Sequence, residues 1–200
     1  MTAISSDEQF ILRSFSITEA LPFGTMFPKE QPLEVEIGAG DGSFLIAYAK
    51  AHPELNLIGL ERLLGRLRKI DRKARRASLE NIRLLRLEAA YFVQYMLPRE
   101  CVRAFHIYFP DPWPKRRHWK NRLINEAFTR TLHNALAPGG IVYLRTDDKP
   151  YFTQMLEVFG NNPTFEKIET PPELLKVVTD FERNFHLRGV ATNHATYRKR

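Results

Sequence analysis

The 200-residue chain carries 30 lysines and arginines against 23 acids, a formal charge of +7, and a single cysteine. That length fits one domain with a core that needs no disulfides, and Cys101 has neither an internal partner nor zinc-ligand spacing, so a reducing, cytoplasmic setting is expected. No apolar stretch is long enough to span a bilayer, and Met1 to Phe10 lack a basic start followed by an apolar core, which excludes a membrane partner from the reading.

Residues 1–32 read as a loosely organised amino-terminal arm. Phe10, Ile11, Leu12 and Phe15 can dock on the body, while Pro22, Gly24, Pro28 and Pro32 break any long element. From residue 33 to 200 one domain follows. Leu33 to Ile37 is a strand, Gly38-Ala39-Gly40-Asp41-Gly42 a tight turn, and Ser43 to Ala51 a helix. Strand, glycine turn and helix form the first unit of a nucleotide-binding α/β fold, because Gly38 and Gly40 let a ligand approach the backbone. A dinucleotide fingerprint would place glycine where Ser43 stands, and Glu36 just before the turn repels a pyrophosphate but suits a positively charged ligand such as a sulfonium amino acid.

A second strand, Leu55 to Leu60, ends in Glu61, placed to accept the hydroxyls of an adenosine ribose or simply to start a helix. In that helix Leu63, Leu67, Ile70, Ala74 and Ala77 make an apolar stripe. Arg62, Arg66, Lys69, Lys73 and Arg76 lie opposite, widened by Arg68, Arg72 and Arg75, with Asp71 the only acid among them. A basic face without interspersed acids favours phosphate contact over solvation alone. Asn81 to Leu87 is a third strand ending in Glu88, a carboxylate that can accept an adenine amine or stand as a surface acid.

The fourth strand, Ala104 to Phe109, runs into Pro110-Asp111-Pro112-Trp113-Pro114 and then Lys115-Arg116-Arg117-His118-Trp119-Lys120. Three alternate prolines forbid helix and ladder alike, so the chain leaves the strand's carboxyl end rigidly, where open α/β sheets bind ligands. A fixed carboxylate, an indole and a lysine suit a nucleotide substrate; a proline-rich surface turn is the competing reading. Asn121 to Leu136 reads as a helix with Leu123, Ile124, Ala127, Phe128, Thr131 and Leu132 inward, and Ile141 to Arg145 as a fifth strand closing in Thr146-Asp147-Asp148. Lys149 to Phe159 is a helix, Pro163 to Glu169 a sixth strand, and the chain closes with a seventh strand after Val178 to Arg183, where Thr179 and Glu182 have capping-box spacing. The alternation implies a mostly parallel sheet covered on both faces. None of His52, His106, His118, His133, His186 and His194 has ligand-like spacing, so no metal is expected.

Glu36 to Gly42, Gly59-Leu60-Glu61, Phe109 to Lys115, Thr146-Asp147 and Thr179 to Glu182, in this order and spacing, resemble the bacterial tRNA (guanine-N7)-methyltransferases. The resemblance implies a class I S-adenosyl-L-methionine-dependent methyltransferase fold, Rossmann-like, with seven strands of which the last is antiparallel. It implies methyl transfer to a guanine in the tRNA variable loop, with Glu36, Gly38, Gly40, Glu61, Glu88 and Asp111 at the cofactor and Asp111 catalytic. Lys115, Asp147, Thr179, Asp180, Phe181 and Glu182 would border the guanosine. Glu88 departs from the aspartate or asparagine that the family usually shows. Two other readings stay open: an NAD-dependent oxidoreductase on the same sheet, and a noncatalytic RNA-binding protein using the basic helix. Monomer and homodimer are equally compatible with the sequence.

Overall fold

Apolar residues recur alternately at every second and at every third or fourth position along this chain, and strands and helices follow in the same order. The computed structural model describes residues 8–12, 16 and 21–200. Within these, the elements are β1 (Ile11–Leu12), α1 (Phe23–Met26), β2 (Leu33–Ile37), α2 (Ser43–Ala51), β3 (Asn56–Leu60), α3 (Leu64–Arg76), β4 (Ile82–Leu85) and α4 (Ala89–Tyr91). A π-turn at Phe92–Met96 precedes β5 (Val102–Tyr108), and a 3-10 turn at Arg116–Asn121 precedes α5 (Glu126–Ala135). Then come β6 (Leu136–Thr146), α6 (Lys149–Gly160), β7 (Phe165–Ile168), α7 (Pro172–Leu175), α8 (Asp180–His186) and β8 (Asn193–Lys199).

The sheet runs β1-β4-β3-β2-β5-β6-β8-β7, parallel except where β8 lies antiparallel to both β6 and β7. It has eight strands rather than the seven expected. The extra one comes from the arm: Ile11 and Leu12 pair with Leu84 and Leu85 on the far edge. Asp71 explains the docking. It is buried inside α3 rather than standing on the basic face, and its Oδ1 accepts the backbone N–H of Gln9 at 3.0 Å and of Phe10 at 2.7 Å. Phe15, also expected to dock, lies outside the described residues.

Two cores sandwich the sheet. On one face Val35, Ile37, Phe105, Ile107, Val142 and Leu144 pack under α5 and α6; on the other, Leu57 and Leu84 pack under Phe44, Leu45, Leu67 and Ile70 of α2 and α3. In α3 the stripe Leu67, Ile70 and Ala74 is buried as its spacing requires, each large side chain contributing about 1.5–3 kcal/mol. Leu63 departs from it, 55% exposed, because the helix begins one residue later. The α5 helix also starts later than expected. The Asn125 side chain accepts the Phe128 N–H and sets the amino end there, leaving Ala127 exposed.

Gly42 ties the glycine turn to α3. Its φ is +77°, and a Cβ would fall 2.7 Å from Ile70 Cγ1. Gly42→Ala is therefore expected to cost about 2–3 kcal/mol, combining backbone strain with overpacking. Thermal denaturation checks this, and an unchanged Tm would contradict the packing argument.

Candidate active site

The strand order reverses at β2, and the helices that follow β2 and β5 cover opposite faces, which opens a crevice above the carboxyl ends of these two strands. Register sets Glu36 beside His106 and Ile37 beside Ile107, so the glycine turn and the Phe109–Lys115 loop leave the sheet as neighbours. The amide N–H groups of Gly38 and Ala39 donate to Leu60 O at 3.0 and 2.8 Å, fastening the turn to the end of β3. Gly40 N–H donates to Glu61 Oε2 at 3.1 Å, while Glu61 Oε1 accepts Leu63 N–H at 2.9 Å. One carboxylate thus clamps the turn to the head of α3. A Cβ on Gly38 would meet nothing within 4 Å, which leaves the turn an open cradle.

Glu36 is 4% exposed, and its Oε2 has no hydrogen-bond partner among the described residues. Burial, aided by the charges of Asp41 and Glu61 and opposed by Arg145, pushes its carboxyl up to about 8. A buried carboxyl without a donor is costly and is retained where a ligand completes it. The same sheet face carries a finished network: Glu34 Oε2 lies 2.7 Å from His106 Nε2, and His106 Nδ1 lies 2.9 Å from the Tyr108 hydroxyl. Burial holds His106 below the usual histidine range. A neutral ring that donates to Glu34 and accepts from Tyr108 satisfies all three groups.

Beyond β5 the chain turns through left-handed backbone at Phe109 (φ 51°) and Trp113 (φ 47°), conformations uncommon outside glycine. Between them Asp111 stands exposed, as does Lys115. What holds this loop is Arg122, 1% exposed, whose Nε donates to Pro112 O at 2.8 Å. Its Nη1 donates to Gln154 Oε1 at 2.8 Å, its Nη2 lies 3.8 Å from Asp148 Oδ1, and the guanidinium packs between the Trp119 and Tyr151 rings at 4.3 and 4.8 Å. Asp148 caps α6 by accepting Tyr151 N–H, so Arg122 braces the Asp111 loop against the Asp147-Asp148 turn.

The tail segment closes the third side. Asp180 N–H donates to Ser43 Oγ at 3.0 Å, bringing the start of α8 to the start of α2. Thr179 and Glu182 form the capping box that their spacing predicts. Glu182, expected to face the guanine, instead points inward. It is 5% exposed, and its Oε2 accepts Thr179 N–H at 3.0 Å and Arg145 Nη1 at 2.9 Å. Arg145, itself buried, also donates to Val177 O and Leu174 O and packs 4.4 Å from the Tyr108 ring. Phe181 is half exposed beside Phe109 and Phe185, while Asp180 pairs with Arg183. Glu88 caps α4, its two oxygens accepting Ala90 and Tyr91 N–H at 3.0 and 2.8 Å, and stays exposed.

Sequence reasoning missed Arg122 and Arg145. Arg145 had a signal, a charge directly after the apolar run Ile141 to Leu144 and still on the strand; Arg122 had none, since it follows a basic stretch that reads as surface. A cavity of about 360 Å³ lined by Lys29, Lys50, Asn56, Ser78 and Asn81 opens at the amino ends of β3 and β4, away from this crevice. Among the described residues no three histidines, cysteines or acids are grouped to hold a metal ion, and no helix is long and apolar enough to cross a membrane.

A sequence model of a family described as "Putative methyltransferase" matches residues 30–195. A protein of Rubrobacter xylanophilus named tRNA (guanine-N(7)-)-methyltransferase is 34% identical over 168 residues, covering 82% of this chain and 75% of that one. The chain belongs to the tRNA (guanine-N(7)-)-methyltransferase family. Another member, from Edwardsiella ictaluri, is 31% identical over 97% of this chain and 82% of its own. The family fold is also that of the 16S rRNA methyltransferase KamB, with a TM-score of 0.63 at 17% identity, covering 88% of this chain and 92% of that one.

Proposed function

We propose that this methyltransferase moves the methyl group of S-adenosyl-L-methionine to N7 of a guanine in the variable loop of tRNA, acting in the cytoplasm as a monomer or homodimer. The observation that carries the reading is the unpartnered Glu36 carboxyl beside the open glycine cradle, next to the Asp111 loop, in a chain whose relatives bear this activity in their names. The donor set fits the cofactor: Glu36 offers a carboxylate to a cation, Glu61 an acid at the end of β3, and the Gly38–Gly40 backbone closes on the ligand without side chains. Glu88, exposed at its cap, retains lone pairs for an adenine amine. When bound, S-adenosyl-L-methionine supplies an electrophilic methyl on a sulfonium.

Guanine N7 bears a free lone pair at neutral pH, so its attack needs no proton removal. The protein's task is alignment and charge. Positive charge grows on the purine as the bond forms, and Asp111 stabilises it while accepting from the Watson-Crick edge, whose acidity rises. Asp147 is the second acceptor, Lys115 holds phosphate, and Asp180 and Phe181 border the base. Thr179 and Glu182 act from behind, fixing that segment through their cap and Arg145. Trp113 walls the pocket, and the nucleotide is drawn outward to reach it. Family membership disfavours the NAD-dependent reading, and a noncatalytic RNA-binding role would leave the Glu36 carboxyl without purpose. The purified chain is expected to form 7-methylguanosine in an unmodified tRNA transcript; nucleoside analysis showing none at high enzyme concentration would sink the reading.

A pH dependence follows. Below about 8 Glu36 is protonated in the unliganded protein, and a cationic ligand selects the carboxylate, so binding releases a proton. Affinity for S-adenosyl-L-methionine is expected to rise about tenfold per pH unit from 6 to 8 and then level off. The unliganded fold runs the other way: its Glu36 keeps a proton that the unfolded chain releases above the ordinary carboxyl pKa of about 4.5, so Glu36 makes stability fall toward pH 8. Calorimetry across this range, with Glu36→Gln expected to flatten the binding profile, checks both.

A further inference from the structure

The charges on α3 divide into two sets that the sequence does not distinguish. Four of its cations are matched by acids: Arg66 lies 3.6 Å from Glu61, Arg68 2.8 Å from Glu8, Lys73 2.8 Å from Asp41 and Arg75 2.9 Å from Asp71. Only Asp71 lies within the helix; Glu8, Asp41 and Glu61 come from other segments. Arg62, Lys69, Arg72 and Arg76 are exposed and have no ion pair among the described residues. Lys69, Arg72 and Arg76 lie opposite the buried Leu67, Ile70 and Ala74 and at 1.5 Å per residue span about 10 Å, while Arg62 stands just ahead of the helix's amino end. Arg62 follows Glu61 directly, so the row begins at the crevice; exposed Arg86, whose Nε donates to Arg62 O at 3.1 Å, adds a further charge there.

We propose that Arg62, Lys69, Arg72 and Arg76 form a rail that holds the phosphate backbone of the RNA whose nucleotide enters the crevice. A row of unmatched guanidinium and ammonium groups, about one helical turn apart along α3, suits a regular polyanion whatever its base sequence. An acidic protein surface would need packed apolar contacts, and between Lys69 and Arg76 the apolar Ile70 and Ala74 are buried. The matched cations act differently: Arg68 and Arg75 reach the arm residue Glu8 and its anchor Asp71, and Lys73 holds the glycine turn through Asp41. The proposal rests on the tRNA reading above, but its test is separate from it.

Binding of tRNA and of a non-substrate RNA is measured by fluorescence anisotropy over a salt series for wild type, for Lys69→Gln/Arg72→Gln/Arg76→Gln, and for Arg75→Gln. The triple variant is expected to lose tenfold or more in affinity for both RNAs near 0.1 M salt. Its slope of log K against log salt is expected to fall by about 2, from 0.7–0.9 per lost phosphate contact. Arg75→Gln is expected to keep the wild-type slope while its Tm drops. S-adenosyl-L-methionine binding reports folding, and Arg72→Glu and Arg76→Glu as single changes carry the test if the triple variant fails to fold. Unchanged affinity and slope overturn the rail, including in favour of an acidic protein partner. Salt-dependent RNA binding that the triple variant loses, with no 7-methylguanosine formed by wild type, retains the rail and removes the methyltransferase reading instead.

Discussion

Asp111→Ala is expected to lower kcat for methyl transfer by about 10²–10³ at saturating tRNA, the loss typical of removing one preorganised electrostatic group from a transition state. Among the described residues this carboxylate makes no hydrogen bond or ion pair. Its loop is held by main-chain and guanidinium contacts, Phe109 N–H to Arg145 O at 2.8 Å and Arg122 Nε to Pro112 O at 2.8 Å, so Tm stays near that of wild type. Asp111→Asn separates charge from hydrogen bonding. It keeps an acceptor oxygen but not the anion, and its rate is expected to fall between wild type and alanine. Because N7 needs no base, log kcat should be flat between about pH 6 and 9 once the cofactor site is saturated. Single-turnover methylation measures all three; normal turnover by Asp111→Ala would remove Asp111 from the mechanism.

Arg122→Ala is expected to be the most damaging single change to the fold. It strands the Pro112 carbonyl and Gln154 Oε1 without donors and empties the space between the Trp119 and Tyr151 rings. Losses from breaking such buried charged contacts run to about 3–5 kcal/mol, which lowers Tm by roughly 10 °C in a chain of this size. The informative variant is Arg122→Lys. It retains the charge and much of the stem but not the planar fork that reaches Pro112 O and Gln154 together. It is expected to fold, to bind S-adenosyl-L-methionine normally, and to lose tenfold or more in kcat, because the Asp111 loop is no longer braced against the Asp147-Asp148 turn. A folded Arg122→Lys enzyme with wild-type kcat would reduce Arg122 to a stability role.

Much of this molecule was legible from local pattern. The Ser43–Ala51 helix matches its spacing end to end, the Thr179–Glu182 box forms as its offset requires, and the glycine turn sits at the carboxyl end of a buried strand. These features depend on residues at most four apart, within reach of backbone geometry and turn chemistry alone. The eighth strand was not legible, because two residues of an arm become a strand only where Asp71, sixty positions on, accepts their neighbours' N–H groups.

The same division holds for the site. Sequence order alone identified which acids stand at strand ends, since the end of an apolar run is a local event. It did not decide what those acids do. Glu36 is left without a donor, Glu61 clamps the glycine turn, and Glu182 turns inward to Arg145. Nor does composition tell the buried Arg122 from the exposed Lys115, or the matched cations of α3 from the unmatched ones. Periodicity dictates which face of an element is buried. Whether a charge on it is solvated, paired or orphaned depends on partners that are remote in the chain and meet only when the sheet closes, and that pairing sets both pKa and reach.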